Sequence, residues 1–112
     1  MRLTRGDVWT VDFNPVRGHE QAGRRPAVIV SITAYNVGPT RMAVVIPITS
    51  RDRGVPMHVR IGAPEGGLDR DSVALCDHIR AVSADRFVEY RGAVSESTMT
   101  AIAERLGALL DL

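Results

Sequence analysis

A chain of 112 residues has room for one domain and one core, and at this size it folds without disulfide or metal staples. Hydrophobic residues at 45% and charged residues at 24% are an ordinary globular balance, and a net charge of +1 argues neither for nor against nucleic acid. The fourteen basic residues are all arginine, and Cys76 is the only cysteine, which excludes an internal disulfide and a cysteine-based zinc site.

Arg5-Gly6-Asp7 reads as a turn into a first strand, Val8 to Phe13, where Trp9, Val11 and Phe13 alternate onto one face. Asn14-Pro15 breaks it and opens a loop that runs to Arg24. A second strand, Ala27 to Ile32, is apolar on both faces and so central. A polar connection through Asn36, Gly38 and Pro39 leads to a third strand, Met42 to Ile48. Pro47 cannot donate to a ladder, which predicts an edge or a bulge there.

Arg51-Asp52-Arg53-Gly54 is a turn, and Met57, Val59 and Ile61 alternate in a fourth strand. The loop 62–70, with Pro64 and Gly66-Gly67, precedes strands at 72–76 and 79–82, joined by a bend. Ser83 caps a helical turn through Phe87. The last segment is the clearest helix: Met99, Ile102, Ala103, Leu106, Leu109 and Leu110 share a face, with Ser95 or Ser97 as cap. Five or six short strands plus a terminal helix make one mainly β, α+β domain spanning 1–112, a small barrel with appended helices.

Few residues carry chemistry. Arg2, Thr4, Arg5 and Asp7 replace the apolar stretch of a signal peptide, and no run approaches the ~20 apolar residues of a membrane span, so a cytoplasmic protein is expected. Asp69, Asp71 and Asp77 lack the remaining oxygen ligands of a calcium loop, and His19, His58 and His78 lack metal-ligand spacing. Neither a nucleophile elbow nor a glycine-rich phosphate loop occurs. Cys76 lies in the apolar run 73–76, where a buried, inert thiol is expected.

What stands out is the junction where the loop 18–23 meets Arg24, Arg25 and Pro26. Proline biases Arg25 toward an extended backbone at the start of a strand, and a guanidinium on a fixed backbone suits a phosphate. The bland alternative for such a pair is a solvated rim. His19, Glu20 and Gln21 beside it can exchange hydrogen bonds with a phosphate or a base edge. Thr49 and Ser50 end a strand that can neighbour the arginine strand, and an arginine with a hydroxyl aimed at one oxyanion is a minimal device for phosphoryl chemistry.

Together these segments resemble the MazF/PemK/Kid family of toxins from bacterial toxin–antitoxin pairs. The likeness runs through Arg5-Gly6-Asp7-Val8-Trp9, Asp12-Phe13-Asn14-Pro15, the block from Gly18 to Val28, Pro47-Ile48-Thr49-Ser50, and Asp71 to Arg80. It implies an SH3-like barrel with a C-terminal helix, paired as a homodimer. It further implies a sequence-specific, metal-independent endoribonuclease that cuts single-stranded RNA, chiefly mRNA, and is neutralised by a MazE-like antitoxin.

The resemblance puts the catalytic arginine on Arg25 and the catalytic threonine on Thr49. RNA contacts fall on Asn14, Gln21, Arg24, Ser50, Asp77, His78 and Arg80. Free arginine keeps its proton to above pH ~12, so Arg25 suits stabilisation of the phosphorane oxygens better than proton removal. The acceptor of the 2′-hydroxyl proton is left open among Arg25, Glu20, His19 and water. Two rivals are a gyrase-poisoning toxin of the CcdB type with the same fold and a non-catalytic RNA-binding barrel. The chain ends Leu110-Asp111-Leu112, unlike the Trp-Gly-Ile type tail of the gyrase poisons.

Overall fold

A computed structural model describes residues 2–14 and 23–112. Seven antiparallel strands share one hydrogen-bonded sheet: β1 (Asp7–Asp12), β2 (Arg24–Ile29), β3 (Met42–Thr49), β4 (Val59–Ile61), β5 (Ser72–Ala74), β6 (Arg80–Ser83) and β7 (Phe87–Ala93). A short helix, α1 (Thr33–Asn36), links β2 to β3, and α2 (Glu96–Leu110) follows β7. The strand order is β4-β5-β3-β2-β1-β7, with β6 beside β3. Among the described residues no ladder joins β6 to β7, so the sheet is an open path rather than a closed ring. The α+β class with a terminal helix holds.

β2 reads as apolar on both faces because it supplies two cores, and β3 supplies the same two. Val28 and Ile46 enter one cluster with Val8, Ile48, Ala74 and Ile102. Ala27, Ile29 and Val45 enter the other with Val11, Phe13, Val82 and Phe87. Complete burial of such a Val or Ile stabilises the fold by roughly 1.5–3 kcal/mol. β1 follows the expected alternation, with Val11 and Phe13 buried and Trp9 packed against them.

Pro47 is not at an edge. It is buried and closes the β2–β3 ladder opposite Ala27, while the next residues, Ile48 and Thr49, pair with Ala74 and Val73 of β5. The missing N–H therefore sits where β3 changes partners, and the Pro47 carbonyl still accepts the Leu75 N–H at 2.9 Å.

Two elements depart from the sequence expectation. The connection after β2 contains α1, whose Asn36 is buried and donates from Nδ2 to the Leu3 and Ser31 carbonyls at 2.8 and 3.2 Å. β7 is a seventh strand; Val88, Glu89 and Tyr90 are all exposed, which hides the alternation. Helix α2 begins as expected, with the Ser95 hydroxyl accepting the Thr98 N–H at 3.2 Å. Glu65 adds a second cap by accepting the Ser95 N–H at 3.0 Å and the Thr98 hydroxyl at 2.6 Å. Ile102 is fully buried and Met99 and Leu106 pack beside it, whereas Ala103 is exposed, and Leu109 and Leu110 are exposed because the last turn runs past the core that the helix covers.

Candidate functional site

Sheet register decides which polar side chains can act together. The β1–β2 ladder sets Val11 opposite Arg25, and the β2–β3 ladder ends with Ala27 opposite Pro47. Two residues beyond that last pair stand Arg25 on β2 and Thr49 on β3. Side chains alternate along a strand, so both lie on the face of Ala27, Val45 and Pro47. Arg25 is exposed and Thr49 half-buried. The Thr49 hydroxyl oxygen accepts the Arg51 N–H at 3.2 Å, which leaves its proton available to donate outward.

The same alternation separates residues adjacent in sequence. Arg24 falls on the opposite face from Arg25, across the ladder from Asp12, and Ser50 follows Thr49 out of the strand. Arg80 opens β6 opposite Val45, which puts it on the face of Arg25 and Thr49, with its guanidinium carbon 5.5 Å from the Phe13 ring centroid.

Asn14 holds the base of the loop. Its side-chain oxygen accepts the Gly23 N–H at 3.0 Å, and the Phe13 N–H bonds to the Gly23 carbonyl at 3.0 Å. Gly23 takes a left-handed φ of 73°, which a side chain would oppose. Arg86 secures the same base by donating to the Asp12 carbonyl at 3.1 Å and to the Asn14 carbonyl. Residues 15–22, and with them His19, Glu20 and Gln21, lie outside the described residues.

The Cys76–His78 turn flanks the end of β3, because the Leu75 N–H is fixed to Pro47 and the His78 N–H returns to the Leu75 carbonyl at 2.8 Å. Asp77 is engaged by His58, whose Nε2 is 3.0 Å from Oδ1. Cys76 beneath the turn is fully buried, and burial pushes its thiol up to about 11, the Arg105 charge opposing this only in part. The inert-thiol reading fits that environment. Asp52 carries the loop after Thr49: its carboxylate accepts the Gly54 N–H at 2.8 Å and the Arg60 Nε–H at 3.1 Å. The Gly54 hydrogen bond and the Arg60 charge hold its carboxyl below the ordinary value.

Sequence reasoning missed Arg86, His58 and Arg60. Arg86 and His58 act through partners distant in the chain. Arg60 carried a signal, since a polar residue between Val59 and Ile61 must face away from the core.

The sequence and the fold agree with three comparisons. The sequence pattern described as PemK-like, MazF-like toxin of type II toxin–antitoxin system matches residues 4–110. The endoribonuclease toxin MazF of Escherichia coli K12 is 35% identical over 106 residues, covering 94% of this chain and 91% of that protein. The crystal structure of MazF from Deinococcus radiodurans superposes with a TM-score of 0.89 at 34% identity, covering 100% of this chain and 99% of that one. A MazE–MazF complex from the same organism matches with a TM-score of 0.81 at 34% identity, covering 97% and 96%. No helix among the described residues is long and apolar enough to cross a membrane. The chain belongs to the PemK-like, MazF-like toxin family of type II toxin–antitoxin systems.

Proposed function

We propose that this chain is a metal-independent endoribonuclease toxin that cuts single-stranded RNA within a short recognised sequence. The observation that carries the reading is the placement of Arg25 and Thr49 on one sheet face, each two residues beyond the last β2–β3 pair. A guanidinium fork and a hydroxyl proton there can serve two oxygens of one phosphate.

The ribose 2′-oxygen attacks the adjacent phosphorus, and its proton leaves to a base. Charge gathers on the non-bridging oxygens, where Arg25 and Thr49 donate; charge-assisted bonds of this kind contribute roughly 1.5–3 kcal/mol each. The bond from phosphorus to the 5′-oxygen breaks, and that oxygen takes a proton. The products are a 2′,3′-cyclic phosphate and a 5′-hydroxyl.

Arg80, Asp77 and His78 border this place and are assigned to RNA contacts, with Asn14 shaping the reading loop. Arg24 and Ser50 contribute from the flank, and Gln21 from the loop. In cells the toxin works in the cytoplasm as a homodimer, and a MazE-like antitoxin binds it, in keeping with the solved MazE–MazF pairs from Deinococcus radiodurans.

The test is incubation of purified protein with a long RNA in EDTA, followed by mapping of the ends. Cleavage at a recurring short word, with cyclic phosphate and 5′-hydroxyl termini, is expected, and 2′-deoxy substitution at the cut should abolish it. Intact RNA would favour the gyrase-poison or RNA-binding reading. Cutting of the 2′-deoxy substrate would refute the attack by the 2′-hydroxyl.

A further inference from the structure

The row of residues that contains Thr49 continues to another cation. Thr49 pairs with Val73 on β5, and Val73 pairs with Arg60 on β4. Cross-strand partners share a face, so Arg60 stands on the face of Thr49 two strands away, roughly 10 Å between backbones at ~4.8 Å per strand. Val59 and Ile61 on either side are buried, while the Arg60 side chain is 84% exposed.

Next to it lies a cavity of about 340 Å³ lined by Asp52, Val55, His58, Arg60, Val73 and Arg105. That volume falls within the range of small-ligand sites. The His58 side chain is only 8% exposed; its Nε2 is held by Asp77, and its Nδ1 is buried without a partner among the described residues. A buried ring nitrogen left unpaired is unfavourable unless a ligand or water supplies the missing bond.

The cations of the cavity are weakly committed. Arg60 is paired with Asp52 at the surface, where solvent screens the attraction. Arg105 uses its Nε on the Pro56 carbonyl at 3.0 Å. A phosphate, which takes the guanidinium fork bidentately, competes well with a single exposed carboxylate contact.

Building on the ribonuclease reading, we propose that Arg60 and this cavity form a subsite for the nucleotide beside the cut. Arg60 grips the flanking phosphate, and His58 Nδ1 meets a polar group of the ribose or base. Asp52 holds the guanidinium in place until RNA displaces it.

Binding of an RNA oligonucleotide made uncleavable by 2′-deoxy substitution at the cut, followed across salt concentrations, tests this. Arg60→Ala should weaken binding several-fold at low salt and flatten the slope of log affinity against log salt by about 0.7. Asp52→Asn should do the reverse and tighten binding, since it frees Arg60. Replacing one flanking phosphate by methylphosphonate should make Arg60→Ala silent, while the same change elsewhere should not. Unchanged affinity and slope in Arg60→Ala, or a loss in Asp52→Asn with an unchanged melting temperature, would overturn the subsite. Failure of the wild type to cut ordinary RNA counts against the nuclease reading instead; the salt slopes still decide whether Arg60 holds a phosphate.

Discussion

Two places where a connection meets the sheet use polar groups in opposite ways. At the Glu65–Gly67 turn the protein consumes them itself. Glu65 caps α2 through Ser95 and Thr98, and the turn lies so close to β7 that a Cβ on Gly67 would stand 2.1 Å from the Arg91 carbonyl oxygen. At the ends of β2 and β3 the ladder stops with Ala27 and Pro47, and Arg25 and Thr49 stand beyond it. The contrast teaches where to look for function in a small sheet protein. Groups that hold the fold are closely packed, while Arg25 and Thr49 stand where the β2–β3 ladder has ended and each strand keeps only its other neighbour, β1 for Arg25 and β5 for Thr49.

The largest effect expected from this contrast is catalytic. Arg25→Ala should lower the RNA cleavage rate by roughly 10²–10³-fold, the usual consequence of removing one oxyanion donor. Thr49→Val should lose less, about ten-fold or more, because its hydrogen bond is neutral before the transition state. Both are strand-end positions outside the buried core, so melting temperatures should stay near the wild type. Arg24→Ala, on the other face, should cost much less activity. A loss as deep as that of Arg25→Ala would erase the distinction between the two faces.

That distinction was only partly legible in the sequence. Val28 and Ile29 announced a strand buried on both sides, and the 3.6-residue spacing of Met99, Ile102 and Leu106 announced α2, because those signals are local. β7 was not legible: Val88, Glu89 and Tyr90 are exposed and break the alternation. Nor was α1, since four residues are too few for a helical period. Pro47 announced an interruption, but the change of partner from β2 to β5 depends on contacts far away in the chain.

At the site, spacing alone suggested Arg25 with a hydroxyl, and resemblance singled out Thr49. Which of two adjacent arginines shares the face of Thr49 follows only from pairing register. The alignment of Arg60 with Thr49 and the His58–Asp77 pair escaped for the same reason, being joined through strands and turns that no sequence window spans.

At the consumed end, Gly67→Ala should be the most damaging small change to stability. Gly67 has φ of 68°, in the left-handed region that alanine resists, and the added carbon would overlap the Arg91 carbonyl group. Backbone cannot yield as a flexible side chain does, so a loss of about 3 kcal/mol or more is expected in urea unfolding. A variant within 1 kcal/mol of wild type, roughly the size of an ordinary surface effect, would show that the turn does not rest tightly on β7. Because Arg25 and Thr49 lie elsewhere on the sheet, the folded fraction should retain cleavage.

The smallest expected effect separates charge from shape at the helix cap. Burial opposes ionisation of Glu65, but hydrogen bonds from the Thr98 hydroxyl and from Ser95 outweigh it and hold the carboxyl below its ordinary value. A carboxyl depressed in the folded state contributes stability above its unfolded pKa, near 4.3, and loses it as pH falls through the lower folded value. Glu65→Gln keeps the shape and one acceptor oxygen but not the charge. Allowing for solvent screening at this partly exposed position, it should destabilise by about 1 kcal/mol at pH 7. The difference from wild type should shrink as pH falls below about 4. Unfolding curves for both proteins at neutral and acidic pH measure this directly. An equal gap at both would mean that Glu65 caps α2 by geometry alone, and that the charge on this carboxylate contributes nothing to the fold.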